Sequence, residues 1–186
     1  SLIIALDCGI MAVQQIDYAN EKRVDFIICD HHNPGKKVPN AVAVLNPKQS
    51  DCNYPFKELS GCGVGFKLIQ GYCEKNQIPL KEITPLLDFL VVSIAADIVP
   101  MVDENRAFSF FGLKQINSTP RVGIKALMDS TGRKGKWTIS DIVFGIAPRI
   151  NAAGRLVHGG IAVDLLIEKD LDKARAAAEK IEKIRF

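Results

Sequence analysis

Two short apolar runs, Leu2–Leu6 and residues 26–29, dominate the start of this sequence, and a single helix-length segment separates them. Continuous apolar runs of this kind belong to parallel strands covered on both faces. Residues 10–23 mix apolar and polar side chains over a helical length, so residues 1–30 read as a β-α-β unit. A right-handed crossover sets the two strands side by side and brings their C-terminal ends to one edge. Residues 41–45 predict a third strand, halted by Asn46-Pro47. Beyond the polar stretch 48–60 the period turns helical, with helices expected over 63–76, 85–99, 105–116, 122–128, 140–146, 161–168 and 171–184. Pro120 and the Gly/Lys-rich stretch 132–136 interrupt them. The fold class is therefore α/β: a small parallel sheet with flanking helices, followed by a mostly helical segment. The parse is a domain over 1–118, with a soft boundary near 118–121 and a helical continuation over 119–186.

The 186 residues, 47% hydrophobic, can bury one core of ordinary size or one large and one small lobe. A formal net charge of +3 allows a polyanionic partner without announcing one. Five cysteines, an odd number with no C-x-x-C pair, argue for a reducing cytoplasm over a disulfide framework or a zinc site. Cys8 and Cys29 read as members of buried strands. The longest apolar stretch, 86–101, is broken by Asp88 and Asp97, so no membrane span is expected.

The first strand runs into Asp7-Cys8-Gly9 and the second into Asp30-His31-His32, which places a carboxylate and an imidazole pair at the edge where open α/β sheets bind ligands. Gly9 suits a tight strand-to-helix turn. Asp7 also fits a helix cap, and paired histidines also occur in ordinary loops. Asp97 lies in an apolar run with the signs of burial, where a carboxylate needs a cation: a metal ion, or an arginine such as Arg106 or Arg149. Carboxylate oxygen with imidazole suits Mn²⁺ or Mg²⁺. Two such ions ~3.5–4 Å apart are the usual apparatus for hydroxide attack on a phosphodiester. The glycine-rich Ser60-Gly61-Cys62-Gly63-Val64-Gly65 lacks the Lys-Ser/Thr of a P-loop and reads as a helix N-terminus packed tightly on the sheet.

Asp30-His31-His32 is the tripeptide that names the DHH phosphoesterases. With Leu6-Asp7-Cys8-Gly9-Ile10, Asn46-Pro47-Lys48, the run from Tyr54 to Val64, Ala96-Asp97-Ile98-Val99-Pro100, Glu104-Asn105-Arg106 and the run from Pro148 to Leu156, the chain resembles the RecJ-type single-stranded-DNA exonucleases of that family along nearly its whole length. The resemblance implies that Asp7 bridges two divalent ions and that His31 and Asp97 are ligands of the same cluster. It further implies that His32 contacts the scissile phosphate or supports the nucleophilic water while Asp30 orients an imidazole, and that Arg149, Asn151 and Arg155 lie in a loop contacting the DNA strand. His158 could also face the substrate.

The activity so implied is 5′-to-3′ hydrolysis of single-stranded DNA in repair and recombination, with Mn²⁺ or Mg²⁺ as cofactor and accessory repair proteins as possible partners. Family members carry an upstream aspartate-rich motif that completes the metal pair, and nothing here precedes Ser1. The 186 residues are therefore expected to be an internal piece, weak or inactive by itself. Rival readings are a nanoRNA hydrolase or a manganese-dependent pyrophosphatase of the same family, or a non-catalytic relative serving as a replication scaffold. The runs 54–63 and 149–156 favour the exonuclease over the first two, and the joint presence of Asp7, His31, His32 and Asp97 speaks against the third.

Overall fold

The computed structural model describes residues 1–156 and 159–185, the side chains of 155, 156, 184 and 185 excepted. Three parallel strands, β1 (Leu2–Leu6), β2 (Asp25–Cys29) and β3 (Ala43–Leu45), form a sheet in the order β1-β2-β3. Leu2 pairs with Asp25 and Leu6 with Cys29, while Ile27 pairs with Ala43 and Cys29 with Leu45. Helices α1 (Val13–Glu21) and α2 (Gly61–Lys75) pack on this sheet. The remaining helices are α3 (Leu87–Asp97), α4 (Asp103–Ser118), α5 (Val122–Ser130), the single turn α6 (Ile139–Asp141), α7 (Ala147–Leu156), α8 (Gly159–Ile167) and α9 (Leu171–Arg185).

The chain divides into two compact units that interleave in sequence, one of Ser1–Pro85 with Val99–Ala107, the other of Leu86–Ile98 with Phe108–Phe186. This division falls elsewhere than 118/119, and the partition into a domain at 1–118 and its continuation at 119–186 stands as a proposal. In the first unit β2 is the central strand: Ile28 and Cys29 are fully buried, with Ile10, Ile16, Leu59 and Val64 around them. Burial pushes the Cys29 thiol up to about 11.

The expectation that both early strands are covered on both faces holds for the C-terminal half of β2 and fails for β1. Leu2, Ile3, Ile4 and Leu6 are 44–55% exposed, and among the described residues β1 is an edge strand of the sheet. Cys8 is likewise exposed, since it follows β1 and does not belong to it.

The second unit is all-helical. Its core gathers Val91, Ile116, Ile124, Leu127, Ile142, Ile146, Leu165 and Ile181. Residues 140–146 are helical as expected, and the helix does not stop there: α6 passes through a π-helical turn, Ile142–Ile146, into α7. Residues 149–156 are therefore helical and not a loop. Ala153, fully buried in this core, gives α7 an inner face that its mixed composition conceals.

Candidate metal centre

The centre lies in the first unit, where β1 and β2 end. The Asp7 N–H donates to the Cys29 carbonyl at 2.8 Å, prolonging the parallel ladder by one bond. Asp7 then takes a left-handed φ of +62°, a conformation that costs a non-glycine residue energy and clusters at functional sites. Gly9 follows with φ +110°, and a Cβ there would press on Ile28. Across the site, the backbone of Gly61 at the start of α2 approaches so closely that a Cβ would run into the Asp7 carboxylate. Ser60 caps α2, its hydroxyl accepting the Gly63 N–H at 3.1 Å. The glycine-rich run is thus a helix start packed on the strand end, as its composition suggested.

Asp30 is 1% exposed and organises the loop after β2. Its Oδ2 accepts the Ile10 N–H at 2.9 Å; its Oδ1 accepts the N–H groups of His31 at 2.8 Å and His32 at 3.1 Å, and the His32 ring at Nδ1, 2.7 Å away. Burial raises its pKa, and these hydrogen bonds more than reverse that, so the carboxyl sits below its ordinary value. An ionised carboxylate only accepts, so His32 Nδ1 carries a proton and its Nε2 is the nitrogen left facing outward. The His31 ring obeys the same logic: Nδ1 lies 3.1 Å from the Leu59 carbonyl oxygen, which can only accept. Its Nε2 therefore faces Asp7 Oδ1, at 3.2 Å. A lone pair against a carboxylate oxygen is repulsive unless a cation lies with them, a proton on Nε2 or a metal ion.

Ligand atoms of Asp7, His31 and His32 all lie within 4.8 Å of one another, the one such group among the described residues. The two rings stand edge to face at 4.6 Å. Carboxylate oxygen and imidazole nitrogen, each imidazole fixed through its other nitrogen, suit Mn²⁺ or Mg²⁺. Sequence reasoning left three supports of this site without a role. The buried Asn46 donates from Nδ2 to the His32 carbonyl at 2.8 Å, the Leu59 carbonyl orients His31, and Asn105 holds the neighbouring Glu58 carbonyl. Asn46-Pro47 and Glu104-Asn105-Arg106 stand out as motifs, but a motif does not say which backbone group its side chain holds.

Asp97 belongs to the second unit and is exposed at the end of α3, accepting from Ser93 Oγ at 3.3 Å. The expected burial is incorrect for Asp97; the buried acid of the run is Asp88, which sequence reasoning did not single out. Asp88 is wholly buried and is gripped by Arg121 Nε at 3.0 and 2.9 Å from its two oxygens. A helix turns its residues through successive faces, and Asp97, at the end of the same helix, has left the buried one.

Arg149, expected to face DNA from a loop, is 7% exposed on α7. It donates to the Gly145 carbonyl at 2.6 Å and pairs with Glu182, Nη2 to Oε1 at 2.9 Å. Its fork already has a carboxylate to hold. Asn151 is exposed on α7, the side chain of Arg155 is not among those described, and His158 lies outside the described residues.

Fold and site together define an open parallel α/β domain whose strand ends carry a carboxylate–imidazole cluster of the kind that holds hard divalent cations. The chain belongs to the DHH family, whose N-terminal domain matches residues 1–94. It is 40% identical over 185 residues to the single-stranded-DNA-specific exonuclease RecJ of Bacillus subtilis, covering 99% of this chain and 23% of that protein. To RecJ of Escherichia coli it is 35% identical over 192 residues, covering 97% of this chain and 33% of that protein. The chain thus spans between a quarter and a third, roughly, of the length of these relatives. Among solved structures, exonuclease RecJ bound to manganese superimposes with a TM-score of 0.87 at 32% identity, over 99% of this chain and 46% of that one. RecJ of Thermus thermophilus in complex with Mn²⁺ gives 0.86 at 31% identity, over 99% of this chain and 27% of that one.

Proposed function

We propose that this chain is part of a cytoplasmic, Mn²⁺- or Mg²⁺-dependent exonuclease that hydrolyses single-stranded DNA from the 5′ end in repair and recombination. The observation that carries the reading is His31 Nε2 held against Asp7 Oδ1 at 3.2 Å with Nδ1 turned to the Leu59 carbonyl, a pair that calls for a cation. The similarity to RecJ along almost the whole chain supports the substrate class, and five free cysteines support the reducing compartment.

Asp7 and His31 would hold the metal, with Asp97 as a further carboxylate ligand offered from the exposed end of its helix. The bound metal would polarise a phosphodiester and supply hydroxide at neutral pH. His32, locked by Asp30 with Nε2 outward, would take up a proton there and through it hold a phosphate oxygen beside the scissile bond. Asn151 and Arg155 are the proposed strand contacts on α7, together with His158, while Arg149 would act by tying α7 to α9. The three donors of the cluster fall short of two complete shells, so the 186 residues alone should bind Mn²⁺ weakly and hydrolyse DNA poorly.

Calorimetric titration with Mn²⁺ tests the ligands, and release of nucleotides from 5′-labelled single-stranded DNA by the full-length protein tests the reaction. Asp7→Asn and His31→Ala should each abolish measurable Mn²⁺ binding and cut the rate at least about 100-fold with the fold intact. Wild-type Mn²⁺ affinity in both variants, or hydrolysis of pyrophosphate with DNA untouched, would sink the reading.

A further inference from the structure

The first unit holds a buried amide that the ligand set does not use. Asn105, near the start of α4, is wholly buried. Its Nδ2 donates to two backbone carbonyls, Glu58 at 2.6 Å and Pro100 at 3.0 Å. Both partners can only accept, which assigns the amide nitrogen to that side. Its Oδ1 is buried with no hydrogen-bond partner among the described residues. A buried acceptor left without a partner is costly, so the fold keeps Asn105 at an expense that its two Nδ2 bonds must offset.

Glu58 is joined by one peptide unit to Leu59, whose carbonyl accepts His31 Nδ1. The same stretch is held again at Tyr54, whose hydroxyl donates to Glu104 Oε2 at 2.6 Å, while the other oxygen of Glu104 pairs with Lys67 on α2. Burial and the Glu104 carboxylate hold the Tyr54 hydroxyl above its usual pKa, which keeps it a donor. Desolvation lowers the Lys67 pKa, and hydrogen bonding to Glu104 more than offsets that, so the ammonium remains charged. Residues 54–59 are therefore clamped at both ends from Glu104 and Asn105, and the last carbonyl of the clamped stretch sets the tautomer of His31.

We propose that Asn105 is a positioning residue for the metal centre: by fixing the Glu58–Leu59 backbone it keeps the proton of His31 on Nδ1 and the Nε2 lone pair turned to the metal. This rests on the metal-site reading above. A carbonyl aimed at the second nitrogen of a ligating imidazole raises its basicity and fixes its ring, and loss of such a partner weakens metal affinity about 10–100-fold. Glu104 assists as the outer clamp, through Tyr54 and Lys67.

The test uses the full-length protein with ¹⁵N-labelled histidine, comparing wild type with Asn105→Asp, which keeps the shape and loses the donor, and with Asn105→Ser, a smaller change that keeps a hydroxyl donor. In ¹⁵N spectra the wild-type His31 ring should show a protonated Nδ1, and Asn105→Asp should show Nδ1 protonated in only part of the molecules. The Mn²⁺ Kd should weaken about tenfold or more in Asn105→Asp, with KM for single-stranded DNA unchanged at saturating Mn²⁺. If Asn105→Asp does not fold, Asn105→Ser decides by the same two readings, with a shift in the same direction. A folded variant with wild-type Mn²⁺ affinity and an unaltered His31 tautomer overturns the inference, as does a lower Tm without change in either. Failure of the wild type itself to bind Mn²⁺ would instead remove the metal-site reading on which this one stands.

Discussion

Asp30 shows how one side chain can order a site without binding anything in it. Its two oxygens take three backbone N–H groups and one imidazole, and this concentration of donors keeps a nearly wholly buried carboxyl ionised. Asp30→Ala should leave those donors stranded at about 1–3 kcal/mol each. Urea unfolding should show a stability loss of about 3 kcal/mol or more, and a loss under about 1 kcal/mol would mean that water replaces the carboxylate. The residues of the tripeptide and Asp7 were legible because strand ends are legible. The buried carboxylate of the 86–101 run was not: the apolar stretch holds both Asp88 and Asp97, and only packing decides which of the two meets an arginine.

Between elements, that arginine joins α3 to the start of α5, and its guanidinium also lies 3.8 Å from the centre of the Phe89 ring. Arg121→Ala strands a buried charge, so a loss of about 3–5 kcal/mol is expected in chemical denaturation. Replacing both partners, as Asp88→Leu with Arg121→Met, should cost clearly less than the single change; an equal cost would mean that the pair acts through shape alone.

The turn into α6 gives a prediction with a pH sign. Thr138 and Asp141 form a reciprocal capping box. The Thr138 hydroxyl is the main cause holding the Asp141 carboxyl below its ordinary value, with burial opposing, and the Thr138 N–H and Arg133 adding to the lowering. A depressed carboxylate stabilises the folded state above its unfolded pKa, about 3.9, and the contribution disappears as pH falls through the lower folded value. Asp141→Asn should therefore cost about 1 kcal/mol at pH 7 and progressively less below about pH 4. Thermal melts across that range would show it, and a penalty constant with pH would refute the capping role.

At the scale of the whole molecule, any ligand that binds only the folded state raises stability by mass action, by about 2.7 kcal/mol at 100 times its Kd. Mn²⁺ should raise the Tm of the wild type, EDTA should reverse the rise, and Asp7→Asn should show none. Hydrogen exchange should slow with Mn²⁺ at the ends of β1 and β2, where the cluster sits; slowing confined to the helical unit would locate the ion elsewhere. Among the described residues no helix is long and apolar enough to cross a membrane, in line with the broken 86–101 run.

The local pattern of the sequence by itself determined three parallel strands and most of the helices, because a short apolar run marks a strand and a 3.6-residue period marks a helix face. It determined the cluster of Asp7, His31 and His32 as well, since a right-handed crossover has one sense and brings those strand ends together. Only the tertiary structure decided that β1 lies at an edge, that 149–156 is a helix whose Arg149 turns to Glu182, and that Leu59 and Asn105 stand behind His31. Strand order, long-range ion pairs and backbone carbonyls used as acceptors leave no period in a sequence. They arise from contacts between segments that local patterns specify one at a time.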